Sequence, residues 1–200
     1  MVRLKLMKIQ IVTLFPEMFE GVFEHSMILK AKKMGASEIE FINLRDFGIG
    51  PRNQVDDTPY GGGDGMLLKP EPIFAAVEHA KESNSDSEVI LLTPRGHTYV
   101  QSMANELSQK RGMILLCGRY EGFDERVTTI VDREISVGNF VLTGGEIPAM
   151  IVVDSVVRLL PGVLGGDKSA EIESFADDDV TVEFPQCTRP EVFRDMKVPD

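Results

Sequence analysis

Three short turns that contain glycine hold the residues of this sequence best suited to binding a small ligand. The turns occupy residues 93–96, 118–122 and 143–145, and an apolar run precedes each of them. Glycine has no Cβ, so backbone N–H and C=O groups in such turns can approach a flat ligand closely. The turns therefore predict recognition of a small molecule through backbone groups. The alternative interpretation is that each glycine simply ends a strand, which requires no ligand.

The runs before these turns predict an α/β fold with a parallel central sheet. Residues 89–92 and 113–117 are apolar runs that end near glycine, and the second is typical of a strand buried on both faces. Residues 135–142 predict a third strand, which ends before Gly144. Ligands of open α/β sheets bind outside the carboxyl ends of the strands. We therefore expect the three turns to meet at one edge of one sheet.

Helical patterns follow two of the turns, over residues 101–107 and 146–159. Glu146 and Pro148 suit the first turn of the second helix, because the N–H groups there are unpaired and the helix dipole is positive. Strands that alternate with helices in this way favour a parallel sheet.

The N-terminal residues predict a βαβ unit. A strand is expected over residues 8–14, a helix over residues 17–33 and a second strand over residues 39–44, with Gly35 ending the helix. Such a crossover implies that its two strands are parallel.

A long loop over residues 45–66 separates this unit from a helix predicted to begin at Pro70. Loops of this length inside compact domains are usually functional or disordered. Residues 61–63 are three consecutive glycines, which indicate either flexibility or close approach by a ligand or another chain. Both interpretations stay open at this point.

Length and composition fit one domain with a full core, since the 200 residues are 42% hydrophobic. No apolar run is long enough to cross a membrane, and residues 1–6 are too short for a signal peptide, so we expect a cytoplasmic protein. Cys117 and Cys187 are far apart, which predicts reduced thiols and no structural or catalytic zinc.

The common nucleotide-binding signatures are missing from the sequence. No predicted strand leads into a G-x-G-x-x-G pattern, which argues against an ordinary dinucleotide site. Residues 162–169 resemble a P-loop superficially, but Asp167 stands where glycine should precede Lys168. We reject a P-loop for that reason.

The negative charge is concentrated near the C-terminal end. Residues 167–200 contain ten acidic and four basic side chains, a net charge of −6, and the other 166 residues carry −5 of the total of −11. This distribution argues against a broad basic surface for nucleic acid. An RNA partner would have to be met by individual basic residues. The candidates are Arg45, Arg52, Lys69, Arg95 and Arg119.

Several strings spread along the chain carry a resemblance to a known family. They are TLFPEMF at 13–19, PYGGG at 59–63 with Gly65-Met66, LKPEP at 68–72, CGRYEG at 117–122, LTGGE at 142–146, Arg158 with PGVLG at 161–165, and TRP at 188–190. Together they resemble the bacterial tRNA (guanine-N1)-methyltransferases of the TrmD family, over nearly the whole chain from Met7 onward.

The resemblance implies a SPOUT-type parallel sheet flanked by helices, with a C-terminal trefoil knot, in a homodimer whose active sites are shared between subunits. It also implies that the three turns hold S-adenosylmethionine in a bent conformation. The residues implied to bind this cofactor are Leu92, Thr93, Pro94, Gly96, Gly118, Tyr120, Glu121, Gly122, Ser136, Val137, Gly138, Asn139, Phe140, Val141, Leu142, Gly144 and Gly145. The implied target is N1 of the guanosine at position 37 of tRNA, immediately 3′ of the anticodon.

The reaction itself requires a base, because guanine N1 carries a proton at neutral pH. By resemblance, Glu173 is the base, at the position where the family has an aspartate before a Ser-Phe pair. Arg158 matches the family arginine that stabilises charge at this base. Glu121 could order the amino group of the cofactor or bind magnesium, and no residue is assigned as a metal ligand. The family usually has aspartate where this chain has Asn139.

We expect a knotted cofactor-binding domain over residues 1–166 and an acidic segment over residues 167–200. In the family this segment leads to a helical domain that grips tRNA, whereas the sequence ends at Asp200, so we expect cofactor binding with weak tRNA affinity. The alternatives are a SPOUT enzyme for another RNA site, a non-catalytic S-adenosylmethionine-binding module, or an unrelated α/β protein for a small ligand. Neither a membrane nor DNA is an expected partner.

Overall fold

The computed structural model of the protein describes residues 6–165, 173–175, 182 and 184–199. The strands are β1 (Met7–Thr13), β2 (Ser37–Asn43), β3 (Asp56–Asp57), β4 (Leu67–Leu68), β5 (Glu88–Thr98), β6 (Gly112–Cys117), β7 (Arg133–Ser136), β8 (Val192–Phe193) and β9 (Met196–Lys197). The α-helices are α1 (Glu20–Phe23), α2 (Ser26–Lys33), α3 (Pro70–Ser83), α4 (Gln101–Ser108) and α5 (Glu146–Val157).

A five-stranded sheet with the order β2-β1-β6-β5-β7 forms the centre of the fold, and all of its strand pairs are parallel. The expected α/β class and parallel sheet are therefore confirmed. Two antiparallel pairs, β3 with β4 and β8 with β9, lie outside this sheet. Among the described residues, no helix is long and apolar enough to cross a membrane.

The middle strand of the sheet, β6, is buried along its whole length. Its side chains alternate between two cores: Met113, Leu115 and Cys117 pack on one face, and Ile114 and Leu116 on the other. Residues of α2, α4 and α5 share the first core, and residues of α3 share the second. This burial on both faces explains why the strand reads as a continuous apolar run.

The helix expected over residues 17–33 is broken into three pieces, because Phe19, Phe23 and Ile28 all pack in one core. A 3₁₀ turn and α1 place Phe19 and Phe23 in that core, with ring centroids 5.2 Å apart. On a continuous helix, Ile28 would lie about 140° around the axis from Phe23 and could not join them. Ser26, with φ of 51°, breaks the helix and turns Ile28 inward.

The C-terminal part of the described chain is exposed from Phe184 to Met196. The predicted acidic segment over residues 167–200 is described only in part, because its residues 167–172, 176–181, 183 and 200 lie outside the described residues.

Candidate functional site

A cavity of about 610 Å³ opens beside the carboxyl ends of β6 and β7 and the irregular middle part of β5. The three turns singled out in the sequence form its walls, as the parallel sheet requires. Its lining includes fifteen of the seventeen residues expected at a cofactor site, which are Leu92, Thr93, Pro94, Gly118, Tyr120, Glu121, Gly122, Ser136, Val137, Gly138, Phe140, Val141, Leu142, Gly144 and Gly145.

The first wall is an irregularity within β5 and not the strand end that the sequence predicted. Leu92 and His97 both pair with Ile135 of β7, so residues 93–96 leave the ladder before the strand resumes. Gly96 does not line the cavity. A Cβ at Gly96 would lie 2.5 Å from the backbone nitrogen of Ile135, so its glycine allows the two strands to approach.

The second wall is the turn that follows β6. Gly122 donates a backbone hydrogen bond to the carbonyl of Arg119 (3.1 Å), and Tyr120 and Gly122 both have positive φ, of 59° and 116°. A Cβ at Gly118 would lie 2.7 Å from the ring of Phe123. The turn thus needs glycine at one position for its conformation and at another for space.

The third wall corrects a strand prediction. The strand expected over residues 135–142 ends at Ser136, because Gly138 has φ of 152° and the Ser136 hydroxyl bonds back to the Gly138 backbone. The apolar residues that follow do not enter a core: Phe140 is half exposed and Val141 is 85% exposed. Asn139, expected at the cofactor, is not among the residues that line the cavity.

The second and third walls touch each other just before α5. Gly145 donates a backbone hydrogen bond to the carbonyl of Gly118 (2.8 Å). Its φ of −82° suits any residue, but a Cβ there would lie 2.6 Å from Cα of Cys117. Space and not conformation therefore demands glycine at position 145. Burial raises the pKa of the Cys117 thiol in the adjoining strand well above its usual range.

Beneath this contact lies a buried polar cluster that the sequence did not predict. Glu146, noted there only as an acid suited to a helix N-terminus, is completely buried. It accepts a hydrogen bond from the Thr13 hydroxyl (2.7 Å) and forms an ion pair with Arg119 (2.9 Å). The three residues are too far apart in the chain for any sequence pattern to connect them.

The glycine-rich end of the long loop over residues 45–66 contacts the second wall. Glu121 and Leu68 make backbone hydrogen bonds that tie the loop to this wall, from Glu121 N to Met66 O (3.0 Å) and from Leu68 N to Gly122 O (2.9 Å). A Cβ at Gly65 would lie 2.5 Å from Cγ of Glu121, so the close approach here is by the chain itself. Residues 61–63 have positive φ throughout, which glycine adopts readily.

Comparison with known proteins decides the family. The chain matches the family model described as "tRNA (Guanine-1)-methyltransferase TrmD" over residues 7–200. The chain therefore belongs to the tRNA (guanine-1)-methyltransferase family. This confirms the resemblance on which the expected site residues were based.

Comparisons with individual proteins agree with this family assignment. It is 56% identical to a tRNA (guanine-N(1)-)-methyltransferase of Dictyoglomus turgidum, over 98% of this chain and 78% of the relative, and 50% identical to one of Staphylococcus epidermidis, over 97% and 78%. It is also similar to the crystal structure of the tRNA (m1G37) methyltransferase from Aquifex aeolicus, with a TM-score of 0.82 and 42% identity over 96% of this chain and 80% of that one.

In this member of the methyltransferase family, the two expected catalytic residues are in contact. Arg158, just after α5, bonds through both terminal nitrogens to the carboxylate of Glu173, with Nη1 2.6 Å from Oε1. The bond to Glu173 raises the pKa of Arg158. Neither residue is among those that line the cavity described above. The expected base and its arginine are therefore paired with each other, but both lie outside the cavity of their own chain.

Most of the basic residues considered for RNA contact are already paired. Arg95 lies 2.8 Å from Glu125, Lys69 lies 3.7 Å from Asp57, and Arg119 is held by Glu146. Arg45 and Arg52 are exposed. Within the described ranges, no group of three or more His, Cys, Asp or Glu residues could hold a metal ion.

Proposed function

We propose that the protein transfers a methyl group from S-adenosylmethionine to N1 of guanosine 37 in tRNA. The observation that carries the proposal is the cavity beside the sheet. Fifteen of the residues expected from the family resemblance line it, and the chain belongs to the tRNA (guanine-1)-methyltransferase family. A tRNA substrate also supports a cytoplasmic location.

The cavity fits the proposed methyl donor in size and in the nature of its walls. Its volume lies within the range of sites that enclose drug-sized ligands. At Gly118 and Gly145 a Cβ would collide with Phe123 and Cys117, so glycine at these positions lets the second and third walls pack closely around the cavity. When bound, S-adenosylmethionine supplies a methyl group on an electrophilic sulfonium centre. Residues of the three walls would bind it and hold it in one orientation.

Glu173 would accept the proton from guanine N1. Its carboxylate is oriented by the two bonds from Arg158. The same guanidinium would hold the carboxylate in one orientation while it accepts the proton. Magnesium stays a prediction connected with Glu121, which lines the cavity.

A homodimer with shared active sites would bring Glu173 to a cavity, because neither Glu173 nor Arg158 lines the cavity of its own chain. An exposed apolar face supports an interface between copies: Ile147 and Ile151 on α5 are exposed, as are Met18 and Val22. We include the trefoil knot and the division into residues 1–166 and 167–200 in this proposal. The contact between Gly145 and Gly118, far apart along the chain, is compatible with the knot.

The test is methylation of a tRNA transcript with guanosine at position 37 by the purified chain and S-adenosylmethionine. Mass spectrometry of the digested RNA should identify 1-methylguanosine at that position. A transcript with adenosine at position 37 is the matched control and should stay unmodified. Methylation at a different nucleotide would favour a SPOUT enzyme for another site, and donor binding without methylation would favour a non-catalytic module.

A further inference from the structure

Glu146 is a fully buried carboxylate with no assigned part in binding or proton transfer. An acid at a helix N-terminus is ordinarily exposed, where water and the helix dipole both stabilise it. Removing a carboxylate from water is costly unless it is paired and hydrogen-bonded. Glu146 is paired with Arg119, and its Oε1 accepts a hydrogen bond from the Thr13 hydroxyl, whereas its Oε2 has only the ion pair.

Arg119 is in turn enclosed on several sides. Its guanidinium lies over the ring of Phe15, with Cζ 4.5 Å from the centroid, and Nη1 donates to the carbonyl of Thr143 (3.4 Å). A Cβ at Gly144 would lie 2.3 Å from Nε of Arg119. The side chain thus fills the space between the end of β1 and the segment that precedes α5.

The cluster joins three separate parts of the cavity's support. Thr13 ends β1, Arg119 belongs to the turn after β6, and Glu146 begins α5 directly after the third wall. Arg119 lines the cavity, whereas Glu146 does not. Any shift of the Glu146 carboxylate would therefore reach the cavity through Arg119 and the backbone at positions 144 and 145.

We propose that Glu146 is a positioning residue for the methyl-donor site, which fixes the turn at residues 118–122 against residues 143–145 before the donor binds. This rests on the proposed function, since it takes the cavity to be the donor site. A preformed site spares the donor the cost of ordering two loops, so the effect should be on affinity.

The experiment is a calorimetric titration of S-adenosylmethionine into Glu146→Gln, together with hydrogen exchange of the amides at 118–122 in the ligand-free protein. Glutamine can still accept from Thr13 but cannot pair its charge with Arg119. We expect roughly tenfold weaker donor binding and faster exchange in the turn. Glu88→Gln is the matched control, because it breaks a carboxylate pair with Arg133 (2.6 Å) away from the cavity. It should keep both the affinity and the exchange rates.

Two further variants guard against a loss of folding in Glu146→Gln. Thr13→Val removes the bond to Glu146 and the bond from Phe15 N (3.0 Å) but keeps the ion pair with Arg119, so it should weaken donor binding in the same direction by a smaller factor. Replacing Arg119 and Glu146 together by Met removes the buried charges and should restore stability without restoring affinity. Wild-type affinity in this double variant, or unchanged exchange at 118–122 in a folded Glu146→Gln protein, would overturn the inference. Failure of the wild-type chain to bind the donor would instead refute the proposed function, and the exchange data would still test the positioning role.

Discussion

Arg158 and Glu173 form a two-point ion pair across fifteen residues of the chain, between the end of α5 and the short described segment at 173–175. A planar guanidinium matches a carboxylate in this way and fixes its direction as well as its charge. Both side chains keep some exposure, at 28% and 19%. The carboxylate is therefore held in one direction while part of it stays open to solvent.

If Glu173 is the base, as proposed, replacing it by Gln should lower kcat by about 100-fold or more, because the proton acceptor is lost while the shape is kept. Donor affinity should be unchanged, since Glu173 does not line the cavity. Single-turnover methylation of tRNA would measure the first effect and calorimetry the second. Glu173→Asp should retain more activity than Glu173→Gln, and the control Glu191→Gln, which changes an exposed acid paired with Lys197, should be fully active. Equal activity of Glu173→Gln and wild type would remove Glu173 as the base.

Two inactive variants should restore activity when mixed, if each site takes its cavity from one subunit and its base from the other. Thr93→Trp would fill the cavity with an indole ring, and Glu173→Gln would remove the base. In a statistical mixture half of the dimers are mixed, and each mixed dimer has one intact site, so about a quarter of wild-type activity is expected. The readout is tRNA methylation after the two proteins are incubated together. Recovery should be absent if cavity and base belong to the same chain.

Gly145→Ala should destabilise the fold and weaken donor binding, because the new methyl group would lie 2.6 Å from Cα of Cys117. Overpacking of this kind costs about 1–3 kcal/mol. The control is Gly21→Ala in α1, where a Cβ meets nothing within 4 Å. Thermal unfolding should show a lower Tm for the first variant and an equal or higher Tm for the second. A Tm equal to wild type in Gly145→Ala would show that residues 117 and 145 can separate at little cost.

The two cysteines should differ in reactivity, because Cys117 is buried and Cys187 is exposed. Titration with a thiol reagent at pH 8 should label one thiol per native chain and two after unfolding. The pKa of Cys117 is raised in the folded state, so the unfolded chain releases this proton first, near pH 8.5. The contribution of Cys117 to the free energy of unfolding is therefore fully present below that pH, and it decreases as the pH rises above it. Denaturant unfolding between pH 7 and 10 should show a smaller decline for Cys117→Ala.

Sequence pattern was sufficient where burial alone decides structure. The strand β6 was predicted because both of its faces are buried, so its apolar run admits few alternatives. The end of β7 was missed, because Phe140, Val141 and Leu142 are apolar residues of a cavity wall, and pattern alone cannot distinguish such a wall from a core strand. The break at Ser26 was missed for a related reason, since only the packing of Ile28 reveals it.

For the candidate site too, some features could be predicted from the sequence and others could not. Local glycine patterns indicated the three walls, and their meeting at one edge followed from the parallel sheet. Glu173 and Arg158 depended on the family resemblance, because an acid and an arginine fifteen positions apart have no pattern of their own. The contact of Thr13 with Glu146 joins residues 133 positions apart, and only the folded chain displays it.

The hydrogen bond between Thr13 and Glu146 also sets a condition on how the protein is made. A growing chain emerges from the ribosome with β1 first, yet β1 must wait for β6 to pair on its second side and for Glu146 to complete the cluster beneath the cavity. Such distant pairings are slow to form, because a long loop must close before any contact stabilises it. Until β6 has been synthesised, pairing within the five-stranded sheet is therefore limited to β1 with β2. The cavity walls can meet only after Gly145, about three quarters of the way along this sequence, has also been synthesised.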